Sequence, residues 1–393
     1  MSANREKLVE LDFLRIISIL IVVVILHIPA NYGYNFYHEL DEYTGWFLHT
    51  FCTYIAMGSF TFLSGFGLFS QESNRNINTV EKFSRFVKKR FFRIFPLYWI
   101  ALMIFIFIFD YTDMNILYLF AHFLGLQIIV APNFSFPIWT LWFIGVITIF
   151  YLIFIILSFM NSLKKIIPTS IIIFAFFLIM NLIFGLVEYR FFLYYFTFIA
   201  GIIGASMYVN PQYKRIKESL RNKNILIPEI LILAITILSW VAFQSYTKIL
   251  HSNPESAAIE MFFNLNSKFS ESIARILFVD MIIVFYIAFM VSSFHLLARL
   301  IRLIDTQGYI NKVFTLVAYS TFCVYLFHRP FLLVLKEILL GIFSIDPTSK
   351  SNSGLMILSI PFLFILSFFI QKAIDKGLPK INTGLRKITL ISN

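Results

Sequence analysis

A charge or a titratable ring inside an apolar membrane segment is costly, and it is kept where it has a task. The first apolar segment of the chain, LDFLRIISILIVVVILHIP, carries Arg15 near its start and His27 near its end. Asp12 stands three residues before Arg15, on the same helical face, and is positioned to hold the guanidinium. Taken alone, this segment favours a plain reading, with Arg15 anchoring one membrane face and His27 topping the helix at the other. A second cluster shifts the balance. Residues 82–96, KFSRFVKKRFFRIFP, hold Arg85, Lys88, Lys89, Arg90 and Arg93 just before the third apolar block. Arg90 and Arg93 are three apart and project side by side, two planar forks suited to phosphate oxygens. Lys82, Lys88 and Lys89 read as lipid-headgroup anchors, worth about 1 kcal/mol each. Phe91, Phe92 and Phe95 surround the arginine pair and fix its orientation, which favours a specific anion.

These groups need a membrane bundle to position them. Of 393 residues, 59% are apolar and only 13% charged, against roughly half and a quarter in a soluble domain. That excludes an ordinary cytosolic globule, and 49 Phe exclude a disordered chain. The expected fold is an all-α polytopic membrane protein of ten transmembrane helices. The apolar blocks run to Pro29 and then lie near 46–69, 93–109, 138–158, 166–186, 191–209, 226–243, 272–298, 312–340 and 355–374. An eleventh block, 115–130, is short and carries His122 and Gln127. Read as a re-entrant or interfacial helix, it leaves 25 of the 32 Lys and Arg on one side. By the positive-inside rule that side is cytoplasmic and holds both termini. The chain then reads as one domain over 1–393, with a core at 11–374 and a cytoplasmic tail at 375–393, in the cell membrane. The net charge of +11 is explained by lipid headgroups and orientation, with no need of nucleic acid. Cys52 and Cys323 sit in apolar blocks with no metal-ligand spacing, so no metal is expected.

Several blocks, in order, resemble the acyltransferase-3 family of membrane acyltransferases. They are LDFLR…VVVILH in the first helix, FTFLSGF at 60–66, KKRFFRIFPLYW at 88–99, WTLWFIGV at 139–146, and YSTFCVYLFHRP near the C-terminus. The last contains Ser320, Tyr325, Leu326, His328 and Pro330. The resemblance runs from residue 11 to about 330 and implies a ten-helix core, in agreement with the charge count. It also implies transfer of an acyl group, usually acetyl, from cytoplasmic acyl-CoA to a glycan or lipid-linked saccharide. By that likeness Arg15 and His27 match the catalytic pair, and Arg90 and Arg93 match the arginines that serve the CoA donor. His27 would act as general base on a sugar hydroxyl or carry the acyl group as an acyl-imidazole. A transporter of a polysaccharide or lipid-linked intermediate fits the same composition. It leaves the arginine pair and the buried histidine without a role.

The family spacing has ten residues between the arginine and the histidine, whereas eleven separate Arg15 from His27. Ten give an offset of about 20° around an α-helix and eleven about 120°. A single π-bulge would restore a shared face, and such bulges are frequent at functional sites. His122 and Gln127 could line an acceptor cavity, because a non-spanning segment at membrane depth is buried or faces water. His328, with Arg329, is read as structural or acceptor-facing with equal weight. Trp139 and Trp142 are read as interfacial anchors. Asp280 is expected to have a partner within its helix bundle.

Overall fold

The computed structural model describes residues 9–109, 114–134, 137–160, 162–210 and 309–391, with Tyr111 and a few positions between 234 and 241 besides. The described residues are helical throughout, with no strand among them. Helix α1 (Val9–Leu20) continues directly as a π-helix over Ile21–Tyr32. Then follow α2 (Glu42–Ser70), α3 (Val80–Ile108), α4 (Ile116–Phe123) and α5 (Gln127–Val130). Helices α6 (Trp142–Ser158), α7 (Leu163–Phe184) and α8 (Tyr189–Val209) complete the first half. Toward the C-terminus lie α9 (Tyr309–Gly341), α10 (Gly354–Leu358) and α11 (Ile360–Ile391).

Seven described spans are long and apolar enough to cross a membrane, and they match seven of the ten expected blocks. The ninth block, 312–340, forms the 33-residue α9, which packs on α1, α3 and α11. The blocks at 226–243 and 272–298, the basic segment 210–225 and Asp280 lie outside the described residues. Large apolar side chains such as Phe107, Ile172, Ile183 and Phe362 are mostly exposed. In water such a belt would drive aggregation, whereas against lipid tails it is the natural outer surface of a membrane protein.

Two elements differ from the sequence-based expectation. Helix α3 begins at Val80, well before the apolar block at 93–109, because Thr79 caps it by accepting from the Lys82 amide at 3.2 Å and Glu81 stands in its first turn. Arg90 and Arg93 are therefore inside the helix, not ahead of it. The short block at 115–130 divides into α4 and α5. Gly125 breaks it with φ = 70°, a conformation that glycine adopts at no steric cost. Eight residues of α4 span about 12 Å, far short of a bilayer core. Its carbonyl end is closed from α3, since the Tyr98 hydroxyl donates to His122 O at 2.7 Å and the Trp99 indole to Phe123 O at 2.9 Å.

The tightest helix contact is between α2 and α8. Gly65 lies against the Phe198 carbonyl and Gly201 against the Phe62 carbonyl, so that a Cβ at either would come within 2.2 Å and 2.1 Å of those oxygens. The Thr61 and Thr197 hydroxyls bond across the same crossing at 2.6 Å. Small residues that let two backbones approach are the usual glue between membrane helices. Gly201→Ala forces the pair apart and is expected to lower stability by about 1–3 kcal/mol. Thermal unfolding in detergent measures it, and an unchanged midpoint would mean that the crossing adapts freely.

Candidate active site

The π-helix explains how Arg15 and His27 come to one side of the first span. An i→i+5 ladder turns each residue through roughly 80–85°, against 100° in an α-helix. Over the seven steps from Leu20 to His27 the lag adds up to about 105–140°, which cancels the 120° offset. The spacing argument asked for a single bulge; the structure has a π-segment of 12 residues. Pro29 accounts for part of it. Proline has no amide hydrogen and its ring crowds the carbonyl four residues back, so an α-ladder cannot run through it. The Ile25 carbonyl thereby freed accepts from the Tyr37 hydroxyl at 2.8 Å, and the segment closes with Gly33 N donating to Ile28 O at 2.7 Å.

Arg15 is tied to Asp12 at 3.0 Å, and Asp12 also accepts from Thr315 of α9 at 3.3 Å. His27 reaches the same helix 13 residues, more than three turns, further on. Its Nδ1 lies 2.6 Å from Nε2 of His328, with the two rings stacked at 13°. The tautomers follow from the partners. His328 Nδ1 faces the carbonyl oxygens of Tyr325 at 2.8 Å and Val324 at 3.2 Å, which can only accept, so Nδ1 carries the proton. In neutral His328 the Nε2 lone pair is then free to accept, and His27 Nδ1–H donates to it. That leaves the His27 lone pair on Nε2, which makes no hydrogen bond among the described residues. A histidine so held has the chemistry of a general base, with its accepting nitrogen on the side away from its support.

A cavity of 790 Å³ approaches this pair from one end of the bundle. Its open end holds Arg15, Arg90, Arg93 and Lys372, and its closed end is a wall of Phe60, Phe143 and Tyr325. The Tyr325 ring centroid is 6.1 Å from that of His328, and its hydroxyl donates to Thr140 O at 2.5 Å. The histidines thus stand just behind the wall. Arg90 is only 6% exposed, lies over the Phe86 and Tyr151 rings, and leaves Nε and Nη2 without partners. Buried donors of this kind are costly unless an anion meets them. Arg93, one turn away, is exposed at the mouth. Ser64, with its buried hydroxyl unpaired, also lines the cavity.

Not every residue singled out from the sequence joins this site. His122 is fully buried, and both ring nitrogens are engaged: Nδ1–H donates to Tyr118 O at 2.9 Å and Nε2 accepts from the Ile138 amide at 3.1 Å. Gln127 donates to Leu141 O at 2.9 Å. Both brace the broken α4–α5 segment against the residues leading into α6, and neither is hydrogen-bonded to the histidine pair. Sequence reasoning missed Tyr37, although Pro29 two residues after His27 pointed to a freed carbonyl. It also missed the burial of Arg90 between rings from two helices. Among the described residues no group of three or more His, Cys, Asp or Glu could hold a metal ion.

A family model described as an acyltransferase domain matches residues 8–371, which spans both the arginine mouth and the histidine pair. The chain belongs to the acyltransferase-3 family. It is therefore a membrane acyltransferase, and the resemblance drawn from its motifs holds over essentially the whole length. Neither a search of the curated proteins nor one of the solved structures finds a match.

Proposed function

We propose that this acyltransferase moves an acetyl or similar short acyl group from acyl-CoA, entering from the cytoplasm of the cell, to a hydroxyl of a glycan or lipid-linked saccharide. The observation that carries this reading is the cavity between the arginine mouth and the histidine pair. Arg90 offers two unpaired donors and Arg93 a second guanidinium at the open end, which suits the phosphates of CoA. The narrow apolar interior beyond them suits a pantetheine arm, and its aromatic walls keep water from the thioester. The wall of Phe60, Phe143 and Tyr325 has to yield for the thioester to meet His27.

In the transfer, His27 Nε2 takes the proton of the acceptor hydroxyl as its oxygen bonds to the thioester carbonyl carbon. The carbon–sulfur bond then breaks, and His27 Nε2–H returns the proton to the departing thiolate. Throughout, His27 Nδ1–H stays bonded to His328, whose lone pair stabilises the transient imidazolium. Arg15, paired with Asp12 at the mouth, sits on the donor side and does not reach the reacting carbon; its support is to the entering head group. Both nitrogens of His122 being bonded to backbone favours a bracing role for it and for Gln127.

The test is release of free CoA from labelled acetyl-CoA by the purified protein in detergent, with a saccharide acceptor. Arg90→Gln is expected to raise KM for acyl-CoA about 10- to 100-fold, roughly 1.4–2.7 kcal/mol, with kcat little changed. A wild-type protein that neither binds nor consumes acyl-CoA would sink the reading.

A further inference from the structure

The histidine pair has a second cationic neighbour, at the end away from the donor arginines. Arg329 follows His328 on α9, and the residues around it all close the opposite end of the bundle: Tyr32 at the end of the π-helix, Tyr111 past the end of α3, and Trp139 ahead of α6. The guanidinium carbon lies 4.5 Å over the Trp139 ring. Its Nε is buried and has no partner, and among the described residues no carboxylate pairs with it. By contrast Arg190, also laid over a tryptophan at 4.5 Å, has its carboxylate in Glu188 at 2.6 Å. Both guanidinium groups lie over a tryptophan, but where Arg190 has a carboxylate Arg329 has the Tyr32 hydroxyl. Tyrosine hydroxyls and a ring face do not neutralise a guanidinium, and holding an uncompensated one in a semi-buried site is costly.

We infer that Arg329 binds an anionic group of the acceptor, a carboxylate or a phosphate, and so sets which hydroxyl comes to His27. This rests on the acyl-transfer reading only for the word acceptor; the subsite itself is a property of the far end of the bundle. The planar fork of arginine suits both anions, because carboxylate and phosphate each present two oxygens in the spacing of its donors. Trp139 fixes the fork from one face and leaves its edge, with the unpaired Nε, for the ligand. The acceptor class is thereby narrowed to acidic saccharides or saccharides carried on a phosphorylated lipid, and a neutral glycan would leave Arg329 unpaired. With donor phosphates held at one end of the bundle and the acceptor anion toward the other, the two like-charged substrates are kept on opposite sides of the histidine pair.

Direct binding to the full-length protein in detergent tests this, by calorimetry, with two probes. One is a disaccharide containing glucuronic acid, compared with its carboxyl-reduced form; the other is inorganic pyrophosphate. Arg329→Gln is expected to weaken one of them about tenfold or more; because Arg90 also suits phosphates, pyrophosphate is compared between two proteins that both carry Arg90→Gln, which removes the contribution of the donor mouth. Loss confined to the uronic acid assigns the anion as a carboxylate, and loss confined to pyrophosphate assigns it as a phosphate. Equal binding by wild type and Arg329→Gln of both probes overturns the inference, as does equal affinity for the acidic and reduced disaccharides together with pyrophosphate binding that depends on Arg90 alone. If Arg329→Gln does not fold, Arg329→Lys takes its place. It keeps the charge, loses the fork, and should weaken the acidic probe about threefold or more; no change overturns the inference. Arg329-dependent binding in a protein that does not consume acyl-CoA would leave the subsite standing and remove the proposed reaction.

Discussion

His27→Ala is expected to lower acyl transfer to the acceptor by about 10²- to 10⁴-fold, the usual contribution of a positioned general base. His27 is held by its Nδ1 on His328, with rings stacked and the Nδ1–Nε2 distance 2.6 Å, so its other nitrogen is the one lone pair that the pair leaves available. Removing the imidazole removes the proton acceptor and leaves the arginine mouth untouched, because the cavity ends at Phe60, Phe143 and Tyr325. Binding of acyl-CoA should therefore persist at close to its wild-type Kd while kcat collapses. A variant that retained kcat would remove His27 from the reaction. One that lost donor binding as well would mean that the histidine supports the fold of the mouth. The same variant separates the two chemical routes left open by the sequence. If label from acetyl-CoA stays on the wild-type protein without acceptor, and none stays on His27→Ala, the acyl group passes through the imidazole.

Much of the bundle was legible because lipid imposes a length and a polarity on each span, and seven apolar blocks became seven described spans. The Asp12–Arg15 pair was legible too, since i,i+3 neighbours on a helix meet whatever surrounds them. The turn geometry of the first span was legible only as a conflict. Eleven intervening residues put His27 on the wrong face of an α-helix, and the conflict named the remedy without its extent. The 12-residue π-segment depends on Pro29 and on a tyrosine ten residues beyond His27, and no local pattern joins the two. What one sequence cannot carry is pairing across hundreds of residues. His27 and His328 are 301 apart in the chain, and Arg329 meets Trp139 only because α9 passes the start of α6. Trp139 read as an interfacial anchor because tryptophan is common there; its task under a guanidinium is a tertiary fact.

The positions of the arginines give the site its polarity. Among the described residues, Arg90 at one end and Arg329 at the other have no carboxylate partner and lie against aromatic rings, while Arg15 and Arg190 have their own acids. A membrane interior tolerates a guanidinium best when it is paired. Two such guanidinium groups on opposite sides of one histidine pair are what the proposed transfer between two anionic substrates requires.

His328→Phe is expected to reduce kcat by about 10²-fold or more while KM for acyl-CoA changes less than about twofold. The larger phenyl ring crowds this buried site, so the fold of the variant is checked by its thermal midpoint, and the acceptor for His27 Nδ1–H is gone. Without it His27 is free to carry its proton on Nε2, the tautomer that cannot take one from a hydroxyl, and the imidazolium formed in the reaction loses its partner. Orientation of a base by a third group commonly contributes several orders of magnitude in hydrolases built on the same logic. His328→Gln provides the discriminating control, because a glutamine carbonyl oxygen can stand where Nε2 stood and accept the same hydrogen. A large loss in the phenylalanine variant with substantial recovery in the glutamine variant marks His328 as the residue that positions the base. Equal losses in both would mean that only its packing matters, and an unchanged kcat in His328→Phe would mean that His27 needs no support to work.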